Sequence, residues 1–475
     1  MGLNVNFKLN LIQLSGLYHQ ETKKQMETAP KKLKFFDLTM IVISLVIGMG
    51  IFRTPVNVAQ SAMTPAIFFL AWFFGGLIAL SGALTYAEIG SRYPVTGGYY
   101  KIFSACYHPS IAFAINSIIL VSNAASVAAV ALVGAEYISN VAFSSLENTA
   151  EIKMWIAGCC ILLFYGLNLL GLRTSSFVQN LLMMFKLGLM LLIISVLFVS
   201  PDANTAVSNI KDTAMSWSDF GYAMGVCLVA VSFTYGGFQH SINFGAELKD
   251  TRIMPRAILT GIAVVILLYM IINYAYYRVI GFENLGNAES IGAIMASKIL
   301  GSSGFTVVSL LFFFSVLGYV NVMLLSNPRV MFAMSEEGTM PASFQKSNLK
   351  TKVLTTALTV FTITIVITLF YAKEFDKILD YIMFLDSIGM AFSAATIFYF
   401  RRKKVKPENQ HVYKMPLYPL MPIFYILAYI FIATSVFVNK PDAALKGLLI
   451  FVIFFALYWL IKFWNRNLSK KVAEL

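Results

Sequence analysis

Residues 47–52 read Ile47-Gly48-Met49-Gly50-Ile51-Phe52, in the middle of an apolar run from about 35 to 62. An apolar run of that length spans a bilayer as a helix. Each glycine costs about 1 kcal/mol relative to alanine in a helix interior. Backbone groups freed within lipid are tolerated only where they line a cavity or meet a ligand. The stretch therefore predicts an unwound hinge that binds a substrate.

The composition around this stretch is that of a membrane protein. The chain has 475 residues, of which 58% are hydrophobic and 12% are charged, about half the charged fraction of an ordinary soluble domain, which is about 25%. The net charge of +13 comes from lysines and arginines between apolar runs, which is typical of positive-inside topology. We therefore predict an all-α polytopic membrane protein in a lipid bilayer, with no nucleic-acid partner.

Twelve apolar runs are long enough to cross a bilayer. They lie at about 36–62, 65–88, 109–139, 153–171, 176–199, 219–246, 256–280, 303–333, 353–372, 376–400, 417–438 and 443–464. We divide the chain into a basic N-terminal tail (1–34), a ten-helix transport core (35–400), and a C-terminal part with two extra helices and a tail (401–475). The positions of the basic residues predict that both termini are cytoplasmic.

A second interruption, Gly236-Gly237, lies within the sixth run. The two interrupted runs are five crossings apart, and because five is odd, the second half enters the membrane from the opposite side. Spans 1–5 and 6–10 are therefore predicted to be inverted repeats. Interrupted segments at matching positions of two repeats indicate a transporter's midplane site. Glycines also serve close helix packing, but their placement in matching spans favours binding.

The chemistry of an unwound helix suggests the ligand. The half-helix after a break presents free N–H groups and suits a carboxylate. The half-helix before it presents free carbonyls, which suit an ammonium group. Neither break contains Asp, Glu, Lys or Arg, although Arg53 follows the first closely. An α-amino acid carries both groups on one carbon and matches this arrangement.

Several motifs together resemble the amino acid–polyamine–organocation superfamily, and within it the L-amino-acid transporter-type permeases. They are Gly48-Met49-Gly50-Ile51-Phe52, Tyr86-Ala87-Glu88-Ile89-Gly90-Ser91-Arg92-Tyr93-Pro94 with Gly97-Gly98-Tyr99, Phe233-Thr234-Tyr235-Gly236-Gly237-Phe238, and Glu247-Leu248-Lys249-Asp250 with Pro255-Arg256-Ala257-Ile258. The resemblance covers spans 1–10. It implies a leucine-transporter-like five-plus-five inverted repeat in which helices 1 and 6 are unwound, followed by two extra helices.

The resemblance also implies roles for individual residues. The amides of Met49, Gly50 and Ile51 would bind the substrate carboxylate. The family often has a small polar residue where this chain has Met49, so only the amide is expected to act there. Five further residues are implied to bind substrate, through carbonyls, through the backbone of a break, or as an aromatic gate over the substrate. They are Val46, Ile47, Phe233, Gly236 and Gly237.

Lys186 lies about ten residues into span 5. An ionisable residue at membrane depth is a functional hypothesis by default, and snorkelling to the interface is awkward from this depth. It resembles the span-5 lysine of sodium-independent family members, whose ammonium takes the place of Na⁺. We assign it to coupling, by a bridge to the unwound part of span 1, and assign Tyr235 to gating.

Other polar residues within the spans leave alternatives open. Glu88 and Glu247 close spans 2 and 6, as solvated helix ends or as an interface pair or gate. His240 is either proton-linked or hydrogen-bonded within the bundle. Asn123, Asn321 and Asp386 either line the pathway or bond helix to helix.

These observations predict a secondary transporter of amino acids rather than an enzyme. No nucleotide-binding loop is present, and the four cysteines and four histidines have no metal-ligand spacing, so we expect no cofactor. The absence of acidic residues in the breaks favours neutral substrates. A polyamine or cationic amino acid permease and a proton-coupled symporter remain alternatives, and oligomeric state is left open. We expect a plasma membrane location, in a bacterial inner membrane.

Overall fold

The computed structural model describes residues 33–142, 150–199, 216–288, 291–300, 304–370, 375–404 and 411–474. Most of the predicted N-terminal tail, residues 1–32, lies outside them. The described chain is helical, with only two isolated β-bridges. Its α-helices are α1 Phe35–Val46, α2 Gly50–Ser61, α3 Pro65–Arg92, α4 Gly98–Cys106, α5 Pro109–Ala142, α6 Ala150–Leu169, α7 Leu172–Val199, α8 Trp217–Tyr235, α9 Ile253–Ile280, α10 Phe282–Gly286, α11 Ile291–Leu300, α12 Gly304–Glu336, α13 Thr355–Phe370, α14 Phe375–Arg402, α15 Leu420–Asn439 and α16 Pro441–Glu474.

The helices confirm the predicted class of an all-α polytopic membrane protein. Within the described residues, ten segments are long and apolar enough to cross a membrane, where α1 with α2, and α8 with the turns after it, each count once. The predicted ninth span is the shorter apolar helix α13, and the predicted tenth corresponds to α14. The total of twelve crossings stays a prediction.

Both predicted interruptions are present. The first break, residues 47–49, separates α1 from α2. The second break, residues 236–237, ends α8, and the chain continues as a 3₁₀ helix, Phe238–Asn243. Gly237 has a φ of +107°, which an L-residue with a side chain rarely adopts, so the glycine is what allows the helix to end there.

Helix α12 forms the centre of the bundle and packs against α5, α7, α6 and α1. Buried amides join it to its neighbours. Asn321 donates to Gln179 Oε1 at 2.7 Å and accepts from Asn168 Nδ2 at 2.8 Å. Asn123 of α5 donates to Asn327 of α12 at 2.7 Å. Two of the three residues whose role was open, Asn321 and Asn123, therefore bond helix to helix.

We call the end of the bundle at which α1 begins the N-terminal face. There, Glu88 of α3 is fully buried. Its carboxylate accepts from Arg92 Nε at 2.7 Å and from Arg401 Nε and Nη2 at 2.8 and 2.6 Å. It also accepts from the Met415 amide at 2.9 Å. Glu88 is thus not a solvated helix end, because the chain before α15 folds back over it and supplies donors.

Replacing Arg401 with glutamine should lower the stability of the protein. It removes two charge-assisted hydrogen bonds to Glu88 and the stacking of the guanidinium on Tyr418, 3.6 Å from the ring centroid. We expect a loss of about 2 kcal/mol in unfolding free energy, measured as a lower Tm in detergent. Arg402→Gln is the matched control, because Arg402 is exposed. Equal Tm values for the two variants would contradict the role of Glu88 as a tether.

Candidate substrate site

The two breaks lie against each other. A β-carbon at position 237 would overlap the carbonyl oxygen of Leu45, and one at position 50 would lie 2.8 Å from Thr234 Oγ1. Thr234 in turn donates to Thr54 Oγ1 at 2.8 Å, which joins α8 to α2. Only glycine permits this approach, since any side chain at position 237 would push α1 and the turn after α8 apart.

The first break exposes amide groups at the N-terminus of α2. Residues 48–50 are half-buried. The amide of Gly48 donates to Val46 O at 2.8 Å. Among the described residues, the amides of Met49, Gly50 and Ile51 donate to no protein acceptor. These three N–H groups begin a twelve-residue helix, so they and the positive end of its dipole can accept an anion.

Carbonyl groups from both breaks form the other side of the site. The Phe233 carbonyl accepts from the Gly236 amide at 3.2 Å, whereas the Gly236 carbonyl has no protein donor among the described residues. Tyr269 Oη lies 3.3 Å from the carbonyl oxygens of both Val46 and Thr234. Tyr269 therefore links the C-terminal ends of the two broken helices, and the Val46 carbonyl accepts from both Tyr269 and the Gly48 amide.

Lys186 is buried within the bundle, 1% exposed, and lies about 21 Å along α7 from its start at Leu172. Its ammonium donates to the Ile47 carbonyl at 2.5 Å. Among the described residues it forms no ion pair with a carboxylate. The negative end of the α1 dipole, which points at this position, stabilises the charge. The contact predicted between span 5 and the unwound part of span 1 is thus present, while its role in coupling stays a prediction.

The two aromatic residues assigned to gating face different surroundings. Phe233 is 47% exposed, although its neighbours Ser232 and Thr234 are buried. Val229, one turn earlier on the same face of α8, packs against a buried apolar cluster formed by residues of α5, α14, α15 and α16, so this face points toward the bundle interior. Phe233 therefore borders an internal space beside the second break.

Tyr235 is buried against other helices. Its ring packs at 6.0 Å from Trp72 and at 4.9 Å from Tyr269. A β-carbon at Gly76 of α3 would lie 3.3 Å from its hydroxyl, and that hydroxyl has no hydrogen-bond partner in the described protein. The side chain faces α3 and α9 rather than the first break, so its gating role stays a prediction without a contact to support it.

Below the breaks, the N-terminal face is closed. Arg329 of α12 pairs with Glu247 at 2.6 and 2.7 Å, and its guanidinium lies 4.5 Å from the ring centroid of Phe244. The Gly97 amide donates to Asn243 O at 3.1 Å. Glu247 is thus an interface pair, one of the two alternatives for it. A groove beside this pair is lined by α12, α13 and the start of α7, but none of its lining residues belongs to either break.

Sequence reasoning missed two residues at the site. Tyr269 links the broken helices, and the ring of Tyr319 would lie 3.7 Å from a β-carbon at Gly48. Both tyrosines lie within apolar runs, where no local pattern distinguishes them from packing residues.

His240 is buried and its ring lies 5.1 Å from that of Tyr99.

Comparison with known proteins places this geometry in a family. A family model described as amino acid permease matches residues 33–461. The serine/threonine exchanger SteT of Bacillus subtilis (strain 168) is 29% identical over 423 residues, covering 87% of this chain and 93% of that protein. The b(0,+)-type amino acid transporter 1 of Mus musculus is 24% identical, covering 95% and 93% of the two chains. The large neutral amino acids transporter small subunit 2 of Mus musculus is 25% identical, covering 90% and 80%.

The family match spans both breaks, Lys186 and the closed N-terminal face. The match agrees with a helical membrane protein in which two helices are unwound and expose backbone groups. The described residues contain no cluster of side chains that could hold a metal ion. The chain belongs to the amino acid permease family of the amino acid–polyamine–organocation superfamily, and it is an amino acid transporter rather than an enzyme.

Proposed function

We propose that the chain is a sodium-independent secondary transporter that moves amino acids across the plasma membrane by alternating access. The observation that carries the proposal is the set of three unpaired amides at Met49, Gly50 and Ile51, beside carbonyls of the second break. These groups recognise the carboxylate and ammonium common to all α-amino acids. A substrate without a carboxylate would leave the amides unsatisfied in a site shielded from water, which costs free energy.

Each substrate group has a defined place in this proposal. The carboxylate binds at the N-terminus of α2, where the helix dipole favours an anion. The ammonium binds the carbonyl of Gly236 and the remaining lone pair of the Phe233 carbonyl, whereas the Val46 carbonyl already accepts from Gly48 and Tyr269. Gly237 and Ile47 contribute the backbone turns that hold these groups in position. The side chain of the substrate then points toward the internal space that Phe233 borders.

Sodium independence is supported by the position of Lys186. Its ammonium already donates to the Ile47 carbonyl, so a fixed cation lies against the first break. A sodium ion there would repel that ammonium at close range. Lys186 therefore replaces a coupling ion and transmits movement of the first break to α7.

Alternating access is supported by an asymmetry across the membrane. The N-terminal face is held closed by the Glu247–Arg329 pair and by Gly97 against Asn243, whereas Phe233 remains exposed on the other side of the breaks. Opening the N-terminal face requires that pair to separate while Phe233 covers the substrate. The basic residues at this face, including Arg402 and Lys403, favour a cytoplasmic location for it.

Transport by purified protein in liposomes tests the proposal. Uptake of labelled L-serine or L-leucine should exceed that of protein-free liposomes and should persist when Na⁺ is replaced by choline. Loading the liposomes with unlabelled amino acid distinguishes exchange from net uptake, and an imposed pH gradient detects proton coupling.

Two results would contradict the proposal. A strict requirement for Na⁺ would remove the role given to Lys186. Uptake of a diamine such as putrescine, without uptake of any amino acid, would show that the unpaired amides do not bind a substrate carboxylate.

A further inference from the structure

Asp386 is a carboxylate on α14, in the interior of the bundle. Asp386 is half-buried, and the residues beside it on α14, Leu385 and Ser387, are buried. Met390 and Ser393, which follow it on the same face of α14, are also buried in the bundle, so this face borders an internal space. Among the described residues it forms no ion pair and no hydrogen bond. It thus differs from Asn123 and Asn321, which bond helix to helix.

Tyrosines lie close to this carboxylate. Tyr86, Tyr99 and Tyr425, from α3, α4 and α15, reach Met390, one turn after Asp386 on the same face of α14, with Oη–Sδ distances of 3.9, 3.9 and 3.5 Å. Tyr319 and Tyr429 are also within electrostatic reach of Asp386. Their hydroxyls are directed elsewhere. Tyr86 and Tyr99 bond to Ser393, at 3.4 Å for Tyr99, and Tyr319 bonds to Ser126. Within the described structure none of these hydroxyls donates to Asp386, so the carboxylate is left to a cationic group that enters this space.

The carboxylate lies at the depth of the substrate site. Asp386 is about 24 Å from the end of α14 on the N-terminal face, and Gly48 is about 20 Å from the start of α1 on the same face. Tyr319 connects the two regions, because its ring packs against Gly48 of the first break and its hydroxyl is within electrostatic reach of Asp386.

We propose that Asp386 and its tyrosines form a subsite for the cationic side chain of a substrate, which extends the substrate range from neutral to cationic amino acids. An unpaired carboxylate within a membrane protein marks a substrate or ion pathway. Aromatic faces around an organic ammonium or guanidinium group add cation–π attraction. The prediction of neutral substrates rested on the absence of acidic residues from the two breaks. Asp386 is far from both breaks in the sequence and was not included in that argument.

This inference rests on the proposed function, and the test uses both kinds of substrate. Affinities for L-lysine and L-serine are measured on purified full-length protein, wild type and Asp386→Asn. We expect wild-type protein to bind both amino acids. The lysine-to-serine affinity ratio should fall at least about tenfold in the variant, because a partner of a buried charge is lost. Asp442→Asn is the matched control, since Asp442 is an exposed carboxylate at the start of α16, and its ratio should equal that of wild type.

The outcomes separate this inference from the proposed function. Wild-type protein that binds serine but not lysine would overturn the subsite and leave the proposed function standing. An equal loss of both affinities in Asp386→Asn would also overturn it, because the carboxylate would then support the site as a whole. Partial recovery of the ratio in Asp386→Glu would support a direct charge interaction. Wild-type protein that binds neither amino acid would count against both.

Discussion

Lys186→Ala should reduce amino acid uptake about a hundredfold while leaving the protein folded in the membrane. The substitution removes the ammonium that donates to the Ile47 carbonyl. A buried hydrogen bond to a charged group contributes about 1.5–3 kcal/mol, and its loss leaves a carbonyl of the first break unpaired. The break is then no longer tied to α7, so substrate binding and movement of the helices are uncoupled.

Uptake of labelled L-serine into liposomes measures this effect, with the amount of reconstituted protein determined for each variant. Lys153→Ala is the matched control, because Lys153 lies on α6 in a half-exposed pair with Glu136. It should transport at the wild-type rate. Full uptake by Lys186→Ala would refute the coupling role and leave the lysine as a packing residue.

Gly237→Ala should destabilise the junction of the two breaks and abolish uptake. The new β-carbon would overlap the Leu45 carbonyl, and alanine would be strained at a φ of +107°. Backbone strain of about 1–3 kcal/mol and overpacking of about 1–3 kcal/mol together approach the whole stability of many domains. The chain can relieve both only by moving the 3₁₀ helix away from α1, which separates the groups that bind substrate.

Thermal unfolding in detergent measures the loss of stability, and uptake into liposomes together with binding of L-serine measures the loss of function. Gly221→Ala is the control on the same helix, because a β-carbon at Gly221 would meet open space. It should keep its Tm and its affinity. Wild-type affinity in Gly237→Ala would show that the site does not depend on contact between the breaks.

Local sequence was sufficient to predict much of this protein. The length and hydropathy of its runs predict membrane crossings, because a bilayer requires about twenty apolar residues per helix. The glycine pairs predict the two breaks, because an interrupted helix in lipid needs compensation. The same argument predicts free N–H groups after a break, and the resemblance to the family implied that they are those of residues 49–51. A lysine deep within span 5 was also recognisable, since charge at that depth is costly.

Partners that are distant in sequence were decided only by the tertiary structure. Glu88 is buried because residues 411–415 fold back over it and donate to its carboxylate. The sequence near Glu88 alone does not distinguish such a buried helix end from a solvated one. Tyr269 lies in an apolar run where an aromatic residue gives no local signal, and Asp386 was recognisable as a carboxylate within a span, but its position relative to the breaks depends on packing. The sequence by itself determined where the helices break and which chemical groups are freed. Packing decided which side chains reach those groups, because contacts between helices depend on how the whole bundle folds.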